Sequence, residues 1–444
     1  MKPGDRIELE LTDLSYLGDG VGHVDTNFVV FAVAGLPGER VVLEVDERRY
    51  KFIRGQVREL IVSAPDRVKP PCAYYGVCGG CQYQHLAYES QLRWKSELVR
   101  RQFQRIGNIV APEIVPCIGS PNPWRYRNNA RFSVDLDGRI GFTRPKSHAI
   151  LPIDDCQIMQ PEIAAVMPRL QGVLPGAHQI VVRYGARTGQ LLISPGLPLP
   201  DQDLPSGQSS YDEILLGHRY RVSAASFFQV NTRPDRREPP FAIDPTWLSP
   251  NKEQSWQLSG TSVTDSTVEL SQADVLALIV LDCLPLTGRE FIVDAYCGVG
   301  TFTVPIARNA GRVIGIEEAG SAVMDAKHNS RGIGDISYVH GRAEDQFDNI
   351  VGRPDAVILD PARTGCDPRV LAALVAKHPE TIVYVSCDPA TLARDVGRLV
   401  AGGYELTSVQ PIDMFPQTQH IEIVTVLRAA HSPGAISIPA ARVD

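Results

Sequence analysis

The chain has 444 residues, 43% of them hydrophobic, and this length predicts two to four domains with cores of their own. Its 44 basic and 51 acidic residues give a net charge of −7, which excludes a protein that binds nucleic acid through a uniformly basic surface. No segment has the composition of a signal peptide or a membrane span. We therefore expect a cytoplasmic monomer without membrane contact, whose nine cysteines are thiols, metal ligands or catalytic groups.

Residues 1–61 combine short strand-like runs with glycine-rich turns. Alternation of apolar and polar residues at this spacing is typical of a small all-β barrel. The glycines between Leu17 and Gly22 predict a turn. The predicted strands cover residues 6–11, 30–32, 40–45 and 53–60.

The central part, residues 62–232, contains a basic stretch that the overall charge conceals. A helix is predicted over residues 86–107, with its leucines and Phe103 on one side and Lys95 among the basic residues elsewhere. From Arg93 to Ser147, eleven Lys and Arg accompany four Asp and Glu, a local charge of +7, interleaved with aromatic residues. This composition fits an RNA-binding surface, and it fits equally a solvated helix face beside a hairpin.

The last part of the chain changes character twice. Residues 233–267 are rich in proline, then in serine and threonine, and predict a surface insertion that is poorly ordered or forms a lid. Residues 268–444 alternate apolar strands with amphipathic helices, which predicts a doubly wound α/β sheet. The predicted strands cover residues 291–295, 313–317, 336–339, 356–360, 382–386, 405–409 and 422–427.

The first strand of this sheet leads into a glycine turn at Gly298 and Gly300. Such a turn lets a ligand approach the backbone and the exposed N-terminus of the next helix. The following strand ends in Glu317, whose carboxylate can bind the two hydroxyls of a ribose. A dinucleotide site would have a third glycine where this chain has Thr303, so the pattern favours S-adenosyl-L-methionine over NAD. Incidental glycines in an ordinary turn are the alternative.

A possible catalytic pair lies at the ends of later strands. Cys387 follows the apolar run Ile382 to Ser386, and Glu422 begins the last strand. Methylation at C5 of a uracil requires a thiolate that adds to C6 and a base that then removes the C5 proton. A lone cysteine after a strand is more often part of the core. Its coincidence with Glu422, Asp360 and the glycine turn favours catalysis.

Four other cysteines form a candidate metal site. Cys72, Cys78 and Cys81 are close in sequence, and Cys156 is the fourth. Four thiolates suit a [4Fe-4S] cluster or a structural zinc, and their spacing does not decide between the two. A Cys-x-x-Cys redox pair would leave Cys72 and Cys156 without a role.

Together these residues resemble the RNA uracil-C5 methyltransferase family over almost the whole chain. The two long motifs that carry the resemblance are Asp360-Pro-Ala-Arg-x-Gly365 and Asp413-x-Phe-Pro-x-Thr-x-His-Ile-Glu422. In this family the cysteine corresponding to Cys387 is the nucleophile and the glutamate corresponding to Glu422 is the general base. The resemblance also implies that S-adenosyl-L-methionine is bound by Gln229, Tyr296, Glu317 and Asp360, with Phe227 against the flipped uracil and Trp124 to Asn128 near the RNA.

The resemblance implies the following architecture. Residues 1–61 resemble a TRAM domain, an OB-like RNA-binding β-barrel. Residues 62–232 form a central α+β domain with a [4Fe-4S] cluster at Cys72, Cys78, Cys81 and Cys156, and its helix packs on the catalytic domain. Residues 268–444 form a Rossmann-like methyltransferase domain.

The expected activity is methylation of a specific uridine in 23S rRNA. A tRNA T-loop uridine methyltransferase is the alternative with the same chemistry. A radical methylthiotransferase would need a different cysteine spacing and a TRAM domain after the catalytic barrel. A non-catalytic RNA-binding or assembly protein would not need Cys387 and Glu422.

Overall fold

The N-terminal segment folds into a closed five-stranded barrel in a computed structural model that describes residues 1–24, 28–145, 147–198, 204–237 and 268–430. Leu9, Leu11, Val30 and Leu43 alternate with less buried residues and fill the interior. Around the barrel the order is β1-β2-β3-β5-β4, for strands Arg6–Leu14 (β1), Gly20–Val24 (β2), Phe28–Val33 (β3), Arg40–Arg48 (β4) and Phe52–Val62 (β5).

The prediction of a turn through Gly22 is wrong for its second half, because Gly20 and Gly22 belong to β2. Gly22 pairs with Val30 on one side and Leu11 on the other. A Cβ atom at Gly22 would collide with the carbonyl oxygen of Glu10. These glycines therefore allow the strands to pack closely. In the sequence alone, glycines with this role look the same as glycines in a turn.

The central part contains one long helix and an antiparallel sheet. The helix, α1, covers Tyr88–Arg105, and the sheet has the order β10-β9-β6-β7-β8. Its core includes Phe132, Ile140 and Val182. The elements are Asn129–Val134 (β6), Ile140–Thr143 (β7), Ile150–Pro152 (β8), Pro161–Val166 (α2), a 3-10 turn at Pro168–Leu170, Gln179–Tyr184 (β9) and Leu191–Ser194 (β10), followed by a hairpin of Ser210–Leu215 (β11) and His218–Ser223 (β12).

Most of the predicted insertion, residues 238–267, lies outside the described residues. Its described residues Asp235–Arg237 (β13) pair antiparallel with the segment that follows it, Val268–Leu270 (β14). The prediction of a lid or a poorly ordered segment therefore stays a prediction. The domain limits at residues 61, 232 and 268 likewise stay predictions.

The C-terminal part is a seven-stranded sheet with the order β17-β16-β15-β18-β19-β21-β20. The five strands β15 to β19 run parallel, and the last two pair antiparallel at one edge. Its elements are Gln272–Asp282 (α3), Phe291–Asp294 (β15), Thr303–Ala307 (α4), Arg312–Glu317 (β16), Gly320–Asn329 (α5), Ile336–His340 (β17), Ala343–Gln346 (α6), a 3-10 turn at Phe347–Asn349, Ala356–Leu359 (β18), Pro368–Lys377 (α7), Thr381–Ser386 (β19), Pro389–Ala401 (α8), Tyr404–Ile412 (β20) and Glu422–Ala429 (β21).

The strand order reverses between β15 and β18. The chain leaves β15 toward β16 and β17 and returns to place β18 and β19 on the other side. In such sheets ligands bind outside the carboxyl ends of the strands at the point of reversal. The loops after β15, β16, β18 and β19 thus carry the candidate site, and the predicted doubly wound sheet is confirmed.

The helix α1 packs against α8 and buries Leu98, Val99 and Phe103. It also buries Lys95, which the sequence placed among the basic residues. Leu86 precedes the helix rather than lying on it. Within the described ranges, no helix combines the length and apolar character that crossing a membrane requires.

Candidate active site

Cys387 and Glu422 lie close together because two antiparallel strands end beside each other. Ser386, the last residue of β19, pairs with Ile423 of β21, and Cys387 and Glu422 are the next residues along the two strands. The carboxyl group of Glu422 is near enough to raise the pKa of the Cys387 thiol. Glu422 is buried and Cys387 is half-buried. The predicted pair is thus assembled by strand register.

The loop that carries Cys387 is fixed by the start of α8. Asp388 caps the helix, because its Oδ1 accepts hydrogen bonds from the backbone N–H of Ala390 at 3.0 Å and of Thr391 at 2.9 Å. Pro389 occupies the first helical turn, where a missing N–H costs nothing. Cys387 is therefore held between a strand end and a capped helix start.

Three groups that can lose a proton lie close together in this site: the thiol of Cys387 and the carboxyl groups of Glu422 and Asp360. Burial and the neighbouring Glu422 raise the pKa of the Cys387 thiol to about 11. Burial and then Asp360 raise the pKa of Glu422 well above its usual range. Burial, with Asp294 nearby, also raises the pKa of Asp360. The site therefore favours protonated carboxyl and thiol groups.

One cation opposes this trend. The guanidinium group of Arg363, in the loop after β18, favours the ionised forms and so lowers the pKa of both Cys387 and Glu422. Its Nη2 also lies 3.4 Å from Nδ1 of His420. The sequence motif contains Arg363, but its role depends on a distance that no spacing in the sequence reveals.

The glycine turn and Glu317 meet as predicted. The two carboxylate oxygens of Glu317 accept hydrogen bonds from the backbone N–H of Gly298 at 3.0 Å and of Ala319 at 2.7 Å. Each oxygen keeps a further lone pair. Tyr296 is half-buried on the same turn. A ribose diol could be bound at Glu317 without moving the carboxylate.

The segment that contains Gln229 spans from α5 to the loop before Glu422. The hydroxyl of Ser226 donates to Asp325 of α5 at 2.9 Å, and the amide of Asn231 donates to the carbonyl oxygen of Met414 at 3.4 Å. Between these anchors Gln229 is buried, whereas Phe227 is 63% exposed. An exposed phenyl ring beside a buried amide suits contact with a base.

The four predicted ligand cysteines surround one cavity. Cys72, Cys78, Cys81 and Cys156 line a space of about 200 Å³ together with Tyr74, Phe142, Ile153 and Met159. Burial raises the pKa of Cys81 to about 12 and of Cys156 to about 11. As placed, the described part of the chain has no group of three or more His, Cys, Asp or Glu side chains with the geometry to hold a metal ion. The ligand role stays a prediction.

Comparison with known proteins identifies the family. Residues 346–430 match the tRNA (uracil-5-)-methyltransferase family, and residues 1–58 match the TRAM domain. An uncharacterized RNA methyltransferase of Halalkalibacterium halodurans is 36% identical, over 95% of this chain and 97% of its own length. The chain belongs to the RNA uracil-C5 methyltransferase family. Another uncharacterized RNA methyltransferase of this kind, from Enterococcus faecalis, is 34% identical over 97% of this chain and 98% of its own length.

A solved structure has the same fold. The tRNA (uracil-54, C5)-methyltransferase of Pyrococcus abyssi, determined in complex with S-adenosyl-L-homocysteine, superposes with a TM-score of 0.66 and 24% identity over 95% of this chain and 100% of its own. The family match covers β18 to β21, with Cys387 and Glu422, and the TRAM match falls on the barrel. The predicted family and fold class are confirmed.

Proposed function

We propose that this RNA methyltransferase methylates C5 of a specific uridine in structured RNA, with S-adenosyl-L-methionine as methyl donor. The observation that carries the proposal is the register of β19 and β21, which brings Cys387 close to Glu422, Asp360 and Arg363. A core cysteine would have no need of a buried carboxyl partner and a nearby guanidinium group.

The chemistry follows from the two side chains. The Cys387 thiolate adds to C6 of the uracil, and the C5–C6 π electrons move toward C5 and O4. When bound, S-adenosyl-L-methionine supplies a methyl group, whose former carbon–sulfur electron pair stays on the sulfur. The Glu422 carboxylate then removes the C5 proton. The electrons of that C–H bond restore C5=C6 and expel the thiolate.

We place the methyl donor at the turn after β15. The ribose hydroxyls would be bound by Glu317, and Tyr296, Asp360 and Gln229 would contact the rest of the molecule. Support comes from the fixed carboxylate of Glu317 and from the fold shared with the Pyrococcus abyssi enzyme. Glu317→Ala should weaken binding of the donor, as measured by calorimetry, without changing affinity for RNA.

We propose 23S rRNA in the cytoplasm as the target, with tRNA as the second candidate. The second candidate is favoured by the description of the matched family and by the substrate named for the Pyrococcus abyssi enzyme. Mass spectrometry of 5-methyluridine in both RNAs from a deletion strain separates the two. Loss of one 5-methyluridine from 23S rRNA is expected. Loss from tRNA alone would establish the second candidate, and loss from neither would contradict the proposed function.

We propose that Cys72, Cys78, Cys81 and Cys156 bind a [4Fe-4S] cluster with a structural role. The proposal is supported by the cavity that all four cysteines line and by the family resemblance, since four thiolates are the ligand set of such a cluster. Anaerobically purified protein should contain about four iron and four sulfide per chain. One zinc per chain, or no metal, would contradict this.

A further inference from the structure

The loop of residues 413–421, here called the base loop, joins β20 to Glu422 and is bound by the first half of the chain. The ammonium group of Lys95 donates to Oδ1 of Asp413 at 2.6 Å and to the carbonyl oxygen of Phe415 at 3.2 Å. The hydroxyl of Tyr126 donates to the carbonyl oxygen of Pro416 at 3.0 Å. The catalytic domain therefore does not hold this loop alone.

The segment that carries the ligand cysteines contacts the base loop directly. The backbone N–H groups of Gln82 and Tyr83 both donate to the carbonyl oxygen of Gln417, at 3.1 and 2.9 Å. Gln417 is a non-glycine residue with φ of +68°, a conformation that costs energy and needs external support. Gln91 of α1 supplies more support through two hydrogen bonds to Gln417, at 3.0 and 3.1 Å.

The side chain of Gln82 bridges the two segments. Its Nε2 donates to the carbonyl oxygen of Gly79, between Cys78 and Cys81, at 3.0 Å. Its Oε1 accepts from the backbone N–H of Gln419 at 3.2 Å. One amide group thus bonds the cysteine segment and a residue three positions before Glu422.

The base loop reaches the reacting groups through its last residues. His420 follows Gln419 and lies against Arg363, whose charge favours ionisation of both Cys387 and Glu422. A shift of Gln419 would therefore move the neighbour of Arg363 and the start of β21. Proton removal by Glu422 is sensitive to such a shift because it requires hydrogen-bond distance to C5.

We propose that Gln82 is a positioning residue that couples the four-cysteine segment to Glu422. This inference rests on the proposed function, because the step it assigns to Gln82 is the elimination that Glu422 starts. It goes beyond that function by making the geometry of the base depend on a residue of the central domain.

The test uses the full-length protein with ordinary uridine-containing RNA and methyl-labelled donor. Gln82→Met keeps the side-chain length but removes both hydrogen bonds. It should lower kcat about tenfold, on the scale of losing two partly buried hydrogen bonds, without raising KM for RNA. Because elimination slows after methyl transfer, a covalent protein–RNA complex that carries the label should accumulate on denaturing gels. Metal content per chain should equal that of the wild type.

Two further variants serve as controls. Gln104→Met changes an exposed glutamine of α1 whose side chain hydrogen-bonds the carbonyl oxygen of Val110, and it should behave as wild type. Glu422→Gln should accumulate the same labelled complex. Wild-type turnover in Gln82→Met would overturn this inference but not the proposed function. Reduced turnover without a covalent complex, together with a raised KM for RNA or a loss of metal, would do the same. No labelled complex with Glu422→Gln would contradict the proposed function, and the inference with it.

Discussion

The protonation states of the side chains in the site decide what each residue can do. Burial favours a thiol at Cys387 and a neutral carboxyl group at Glu422, and Arg363 favours the charged forms that the reaction uses. The sequence pointed to Cys387 and Glu422 as a candidate pair, because Cys387 follows an apolar strand-like run and Glu422 ends a long motif. Arg363 was not assigned a role, and Lys95 was assigned a wrong environment, because both depend on partners distant in sequence.

The first prediction concerns the thiol. Because the Cys387 pKa is about 11, the thiolate fraction should rise about tenfold per pH unit between pH 7 and 9. Alkylation of Cys387 in the free protein, followed by peptide mass spectrometry, should show this slope. Arg363→Met removes the charge that favours the thiolate, so it should slow alkylation further. A rate independent of pH, or unchanged in Arg363→Met, would refute the electrostatic description.

The second prediction concerns the base. Glu422→Gln cannot accept the C5 proton, so kcat should fall by at least about 100-fold. Steady-state methylation with labelled donor measures this. Glu405→Gln, on the exposed side of β20, should leave kcat unchanged. Equal losses in both variants would mean that Glu422 acts through stability and not as the base.

Among the elements, α1 connects the parts of the molecule. The sequence predicted its position to within two residues at each end, because apolar periodicity is a local signal. It placed Leu98 and Phe103 on the buried side correctly but did not predict the burial of Lys95. The partner that neutralises Lys95 is Asp413, 318 residues away, and only tertiary structure brings the two together.

The third prediction tests this buried ion pair. Lys95→Met leaves the buried Asp413 carboxylate without its partner and should cost about 3–5 kcal/mol of stability. Thermal unfolding should show a loss of roughly 5–10 °C. Lys95→Met with Asp413→Asn should recover part of it. Arg93, on the same helix as Lys95, forms an exposed ion pair with Asp66. Arg93→Met breaks this pair and should shift the melting temperature by no more than about 2 °C. Equal shifts for both single variants would contradict the account.

At the scale of the whole molecule, the three parts meet around Cys387. Tyr16, in the barrel, has its hydroxyl 3.5 Å from Oδ2 of Asp388, next to Cys387, and Arg101 of α1 pairs with Asp13 of β1. The sequence predicted the three parts because strand, helix and glycine patterns are local. It could not predict their contacts, since those depend on side chains from distant segments.

The fourth prediction concerns RNA affinity. Most basic side chains of the stretch from Arg93 to Ser147 are paired with acids. Arg131 and Arg144 are exposed and, within the described ranges, form no ion pair. Arg131→Gln and Arg144→Gln should each weaken RNA binding and reduce the slope of log Kd against log salt by about 1. Arg139→Gln, whose arginine already pairs with Asp135, is the control. Unchanged slopes would show that RNA binds elsewhere.

The central claim is that Cys387 attacks C6 of a uracil in RNA, and trapping with 5-fluorouridine tests it most directly. In 5-fluorouridine C5 carries fluorine in place of hydrogen, so after methyl transfer there is no proton for the base to remove. Elimination therefore stops and the covalent complex persists. RNA that contains 5-fluorouridine at the target position should yield, with the methyl donor, a denaturation-resistant complex whose cross-linked peptide contains Cys387. Cys387→Ala should give none. A wild-type protein that forms no complex, or a complex that persists in Cys387→Ala, would contradict the mechanism.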